Sequence, residues 1–259
     1  MSFDSPEMSL YGLVSMVGLL VGGWIWSRRW TKKPESISVF IGAICGAYLG
    51  AKVLYLLAEG WLYFGEPGWG MQWLTGKTIV GALLGGYAGV ELVKWMIERR
   101  EPTGDWFAIG VPISIAVGRL GCLRHGCCLG RECPDSDWWS LVDSAGITRW
   151  PAVPLELAFN LLFVAAILPL AMRKAGRGQL FHFYLISYGA FRFFHEFQRE
   201  TPKVLFGLSG YQLGAIGLIV LGTIRFRQRA LEQKHVAEGS SNAGENEPPA
   251  DAAGEAEEK

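Results

Sequence analysis

Charge is scarce in this chain. Only 19% of its 259 residues are Asp, Glu, Lys or Arg, and the two signs balance at 24 each. With no net charge, nothing supports nucleic-acid binding. No alternating pattern of barrel strands is visible, so a membrane barrel is set aside. The residues before the first apolar run include Asp4 and Glu7 and no Lys or Arg, the reverse of a secretory leader. That run is therefore expected to stay as an anchor. Cysteine numbers only five, and the paired Cys-x-x-Cys spacing of a structural metal site is missing, so no metal and no cofactor are expected.

Apolar residues are abundant. They make up 50% of the chain, and the mean hydropathy is +0.22 even with a polar final stretch. Runs close to the ~20 residues needed to span a bilayer fall at Met8–Trp26, Ile37–Leu57, Thr78–Ile97, Trp106–Leu123, Val153–Met172, Leu180–Phe194 and Tyr211–Ile224. The expected fold is an all-α polytopic membrane protein with about seven transmembrane helices, since lipid offers backbone groups no partner. Basic residues follow the odd-numbered spans: Arg28, Arg29, Lys32 and Lys33, then Arg99 and Arg100, Arg173, Lys174 and Arg177, and Arg225, Arg227 and Arg229. The opposite loops carry Trp61, Tyr63, Trp69, Trp73, Trp138 and Trp139. This asymmetry places the N-terminus outside and the C-terminus inside. Residues 1–234 form the membrane domain. Residues 235–259 are acidic, small and poor in apolar groups, and are expected to be a disordered cytoplasmic tail.

Two segments resemble each other, Gly42 to Gly50 and Gly81 to Gly89, each with glycine every fourth residue. Such strips let helix backbones pack closely; lining a groove for a lipid chain is the alternative. Lys52, Lys94 and Arg124 are read as side chains that snorkel to the headgroups. Arg119 and Arg192 lie deeper in apolar segments, and an intramembrane cation needs an anionic partner. Arg192 shares helical spacing with Tyr188 and Glu196, so the three are expected to face one cavity. Glu156, in the first turn of the fifth span, is either a helix N-terminal charge or a partner for an arginine. Cys122, Cys127, Cys128 and Cys133 surround His125 at the outer end of the fourth span. A disulfide from Cys133 to Cys127 or Cys128, free thiols, metal ligation and a catalytic thiol all stand as readings.

The chain resembles the prolipoprotein diacylglyceryl transferases, bacterial inner-membrane enzymes that move a diacylglyceryl group from phosphatidylglycerol to a lipobox cysteine. Tyr11-Gly12 matches the family's opening Tyr-Gly. Gly118 to Gly130 aligns with its Gly-Arg-x-Gly-Asn-x-x-Asn-Gly-Glu-x-x-Gly signature, and Trp150 to Glu156 with its His-Pro-x-Gln-x-Tyr-Glu element. Tyr188 to Arg199 matches Tyr-Gly-x-x-Arg-x-x-x-Glu-x-x-Arg, and Ser209 to Gln212 a Ser-x-x-Gln element. Three departures stand out: Val80-Gly81-Ala82 replaces His-Gly-Gly, Cys122 and His125 replace the two signature asparagines, and Cys127 replaces its glutamate.

The resemblance implies transfer onto a lipobox thiol, with phosphatidylglycerol or another anionic phospholipid and a prolipoprotein signal-peptide region as partners, in the bacterial inner membrane. Substrate-binding roles are implied for Tyr11, Arg119, Tyr188, Arg192, Glu196 and Arg199. Guanidinium forks suit phosphate oxygens, so Arg119 and Arg192 also serve catalysis. His125 is the expected general base, beside a cation that keeps it neutral, with His195 in reserve; Cys127 or Cys128 is a candidate nucleophile. A paralogue using the same groove for another transfer, and a silent phospholipid-binding protein, are the alternatives.

Overall fold

The computed structural model describes residues 35–99, 101, 103–133, 139–143, 145–173 and 175–245, apart from the side chains of 72 and 235–245. The expected first span and Tyr11 lie outside the described residues. The described helices are α1 (Glu35–Ala58), α2 (Trp69–Thr75), α3 (Ile79–Met96), α4 (Gly104–His125), α5 (Ala152–Met172), α6 (Leu180–His195) and α7 (Gly210–Glu245). Two small antiparallel hairpins pair β1 (Leu141–Val142) with β2 (Thr148–Arg149), and β3 (Lys203–Leu205) with β4 (Leu208–Ser209). Four helices, α1, α3, α4 and α5, are long and apolar enough to cross a membrane. Their outward faces carry large apolar side chains such as Leu57, Leu92, Trp95 and Leu162, as a lipid-facing surface requires. The chain is a mostly helical membrane protein. At 16 residues, α6 is shorter than the ~17–25 of a simple span. Helix α7 continues to Glu245, into the segment read from sequence as a tail.

The glycine strips bring α1 and α3 together. A β-carbon on Gly46 would sit 2.3 Å from the Gly85 carbonyl oxygen, one on Gly50 2.3 Å from that of Gly81, and one on Gly89 2.2 Å from that of Gly42. The two helices therefore run antiparallel with their backbones touching, and the strips serve packing. Thr78 starts α3 by accepting a hydrogen bond from the Gly81 amide at 2.8 Å. Lys52, expected to snorkel, instead donates to the carbonyls of Trp73 (2.7 Å) and Leu74 at the end of α2. This supplies a cation to carbonyls that the helix leaves unpaired.

The core joins α3 to α7 through Val80, Leu83, Phe163, Tyr184, Tyr188 and Leu218. Ser209 and Gln212 form a reciprocal cap at the start of α7: the Ser209 amide donates to Gln212 Oε1 (2.9 Å) and the Gln212 amide to Ser209 Oγ (3.2 Å). Both residues are fully buried. These caps and turns bring the end of α4, the start of α5, the end of α6 and the start of α7 to one end of the molecule.

Candidate active site

At that end sits a buried network of charge. Glu156, in the first turns of α5, is fully buried, and its Oε2 lies 2.7 Å from Arg119 Nη2 and 3.4 Å from Arg192 Nη1. Tyr188 donates its hydroxyl to Glu156 Oε1 at 2.7 Å. Arg192 Nη2 reaches Glu196, one turn on in the chain, at 2.7 Å. Tyr188, Arg192 and Glu196 thus converge as their spacing predicts. Glu156 is the arginine partner, which decides between its two sequence readings. The same helix extends the network inward: Asn160 Nδ2 donates to the Glu156 carbonyl (2.8 Å) and Asn160 Oδ1 accepts from Tyr184 (2.8 Å). Neither Asn160 nor Tyr184 was singled out from sequence, although Asn160 follows Glu156 by one helical turn on an otherwise apolar helix.

The network has atoms to spare. Arg119 Nε, Arg199 Nη1, His195 Nδ1, Glu196 Oε1 and Gln198 Oε1 are buried without a hydrogen-bond partner among the described residues. Such atoms are costly to leave dry and point to a polar ligand or water. Arg199 makes no ion pair with a described residue. Among the described residues, Glu156 and Glu196 are thus taken up by Arg119 and Arg192, while Arg199 has no carboxylate partner. Beside it opens a cleft of about 380 Å³ lined by Trp150, Leu155, Phe191, Phe194, His195 and Gln198. His195 Nε2 lies 3.1 Å from the Ala152 carbonyl and must donate to it, which leaves Nδ1 as an acceptor.

A loop platform closes the cluster. The Gly130 amide donates to the Trp150 carbonyl (3.0 Å), Arg131 to that of Gln198 (2.9 Å) and Trp150 to that of Arg131 (2.9 Å). A β-carbon on Gly130 would lie 2.6 Å from Trp150 Cβ and 2.9 Å from the Gln198 carbonyl, so the strands of the platform approach too closely for a side chain there. Arg149 binds Asp143 at 2.6 Å. This pair, together with the Ile147 and Ala145 amides, holds the Asp143 carboxyl below the usual range.

The comparisons with known proteins fall on this same ground. A profile of the prolipoprotein diacylglyceryl transferases matches residues 1–227. The chain belongs to the prolipoprotein diacylglyceryl transferase family. It is 32% identical over 217 residues to the phosphatidylglycerol–prolipoprotein diacylglyceryl transferase of Pseudoalteromonas atlantica, covering 78% of this chain and 75% of that one. It is 30% identical over 229 residues to the enzyme of the same name from Vibrio vulnificus strain YJ016, covering 83% and 80%. With the second such transferase of Clostridium perfringens it shares 26% identity over 236 residues, covering 86% and 91%.

Within the transferase family frame, the positions that depart from the pattern are informative. Val80 is buried in the apolar core beside α7. His125, the expected base, ends α4 on an exposed surface outside the buried network. Cys127 is part of a cluster: the sulfurs of Cys122, Cys127 and Cys128 all lie within 4.8 Å of one another. All five cysteines are free, so the Cys133 disulfide is not formed. Arg119 Nη1 lies 3.9 Å from Cys122 Sγ, joining the thiols to the charged network. The neighbouring thiols of Cys122 and Cys127, then Arg119 and Arg199, lower the Cys128 thiol from its ordinary value against the opposing effect of burial.

Proposed function

We propose that the protein transfers a diacylglyceryl group from phosphatidylglycerol to the lipobox cysteine of a prolipoprotein, in the bacterial inner membrane. The observation that carries this reading is the set of buried polar atoms without a partner among the described residues, together with an Arg199 that has no described carboxylate partner. A phosphodiester bears one negative charge, which suits a guanidinium without a described carboxylate partner. Arg119 Nε and Arg199 Nη1 are donors suited to its oxygens. His195 Nδ1, Gln198 Oε1 and Glu196 Oε1 are acceptors suited to the hydroxyls of a terminal glycerol. In this reading Arg119, Arg192 and Arg199 hold the headgroup and stabilise the departing glycerol phosphate, Tyr188 and Glu196 orient the arginines, and Tyr11 donates to the same headgroup. The apolar cleft beside His195 takes the residues next to the lipobox cysteine.

Seven spans with the N-terminus outside fit this function, since the cluster then sits at the outer face, where a secreted precursor arrives. Expression in a cell depleted of its own diacylglyceryl transferase tests the proposal. Growth and lipid-labelled lipoprotein are the expected results; unmodified precursor accumulating beside a well-expressed chain would overturn it and favour the silent phospholipid-binding reading.

A further inference from the structure

Three thiols beside Arg119 have no part in holding the headgroup. Cys122 lies in the last turn of α4, and the chain then doubles back through Gly126 (φ 66) and Cys128 (φ 63). A cysteine in the left-handed region is uncommon, and such strain gathers at functional sites. The Cys127 amide donates to the Cys122 carbonyl at 3.1 Å, which locks the return. Residues adjacent in sequence and five apart, a poor spacing for a metal site on paper, are thereby gathered with all three sulfurs within 4.8 Å. Tetrahedral zinc with bonds near 2.3 Å holds its sulfurs roughly 3.8 Å apart, so closure by about 1 Å completes the site.

We propose that Cys122, Cys127 and Cys128 bind a zinc ion whose fourth position accepts the incoming lipobox thiol. This rests on the transfer reading above. Three thiolates and Zn²⁺ carry one net negative charge, and the cation of Arg119, with Nη1 3.9 Å from Cys122 Sγ, favours the thiolate form beside it. Cys122 is buried, Cys127 half-buried and Cys128 exposed, so the trio can be reached from the surface on the Cys128 side. Three protein ligands with a free fourth position are the pattern of catalytic zinc, and a thiol bound to such an ion is deprotonated outright. The site supplies what the exposed His125 and the buried Val80 do not. The bound thiol gives its proton to water. Its sulfur forms a bond to the diacylglycerol carbon as the carbon–oxygen bond to phosphate breaks. The electron pair leaves with that oxygen, so the negative charge lost by sulfur appears on glycerol phosphate, beside Arg119 and Arg199. No oxidant or reductant is needed.

The test uses the full chain in detergent, reduced and stripped by a chelator, and titrated with Co²⁺. One equivalent should bind with thiolate-to-cobalt absorption. Cys122→Ser, Cys127→Ser and Cys128→Ser should each remove about a third of that absorption, whereas Cys45→Ser should remove none. A lipobox peptide should increase it, and its Cys→Ser analogue should not. Absence of cobalt absorption together with absence of zinc in the purified chain would overturn the proposal, as would copper(I) held in place of zinc. Full transfer by the triple serine variant would also sink it while leaving the transferase reading intact. A chain that binds zinc and the peptide thiol but transfers nothing would keep the metal site and sink the transferase reading.

Discussion

Glu156 carries more of the site than any other single described side chain, because Arg119 has no second carboxylate among the described residues whereas Arg192 also has Glu196. Glu156→Gln is therefore expected to destabilise the protein by about 3–5 kcal/mol, the cost of breaking a buried pair. Adding Arg119→Gln should recover part of that loss, which a double-mutant cycle of unfolding in detergent would measure. For the same reason Arg119→Gln and Arg192→Gln confuse binding with folding. Arg199→Gln is the cleaner probe of the headgroup: it should leave thermal stability nearly unchanged and reduce copurified phosphatidylglycerol at least tenfold, in keeping with about 1.5–3 kcal/mol for one charge-assisted contact. Equal lipid in parent and variant would remove Arg199 from the site. Outside the membrane segments, Asp143 gives a pH signature. Its carboxyl is depressed in the folded state by Arg149 and two amides, so its contribution is complete above the ordinary carboxylate range near pH ~3.9 and is lost as pH falls through the lower, folded value. Exchange of the Ala145 and Ile147 amides, which it accepts at 2.8 and 2.9 Å, should accelerate only in that acid window.

Among the elements, the pairing of α1 with α3 depends on bare backbone. Gly85→Ala places a methyl 2.2 Å from the Gly46 carbonyl oxygen, and backbone on both sides leaves nothing to rotate away. The expected loss is about 1–3 kcal/mol, read as lowered thermal stability, whereas Gly118→Ala, with open space around it, should cost far less. Most helices were legible from sequence because hydrophobic runs of membrane length declare themselves: the Ile37–Leu57 and Val153–Met172 runs correspond to α1 and α5 within a few residues. The glycine period likewise announced its packing role. The site was legible only in part. Tyr188 and Arg192 share α6 and Glu196 follows directly at its C-terminal cap, so their meeting follows from helical spacing. Glu156 joining both arginines depends on how α4, α5 and α6 cross, and no local pattern encodes that. The cysteines were legible as a cluster at the end of the fourth span, but the approach of three sulfurs within 4.8 Å was not, because it depends on two left-handed backbone angles, one at a cysteine.

At the scale of the whole molecule, the distribution of Lys and Arg predicts that the thiol-bearing turn faces outward. A membrane-impermeant thiol reagent should label Cys128, the exposed member of the trio, in intact cells after metal removal; labelling only after lysis would invert the orientation. The ion pairs also differ in how they are built as the chain is made. Arg192 enters the bilayer with Glu196 on the following turn and so travels with its own counter-ion. Among the described residues, Arg119 gains its counter-ion only when α5 delivers Glu156. During synthesis α4 must therefore wait at the translocon, or hold its arginine at the membrane surface, until α5 arrives, which makes α4 and α5 a single unit of insertion.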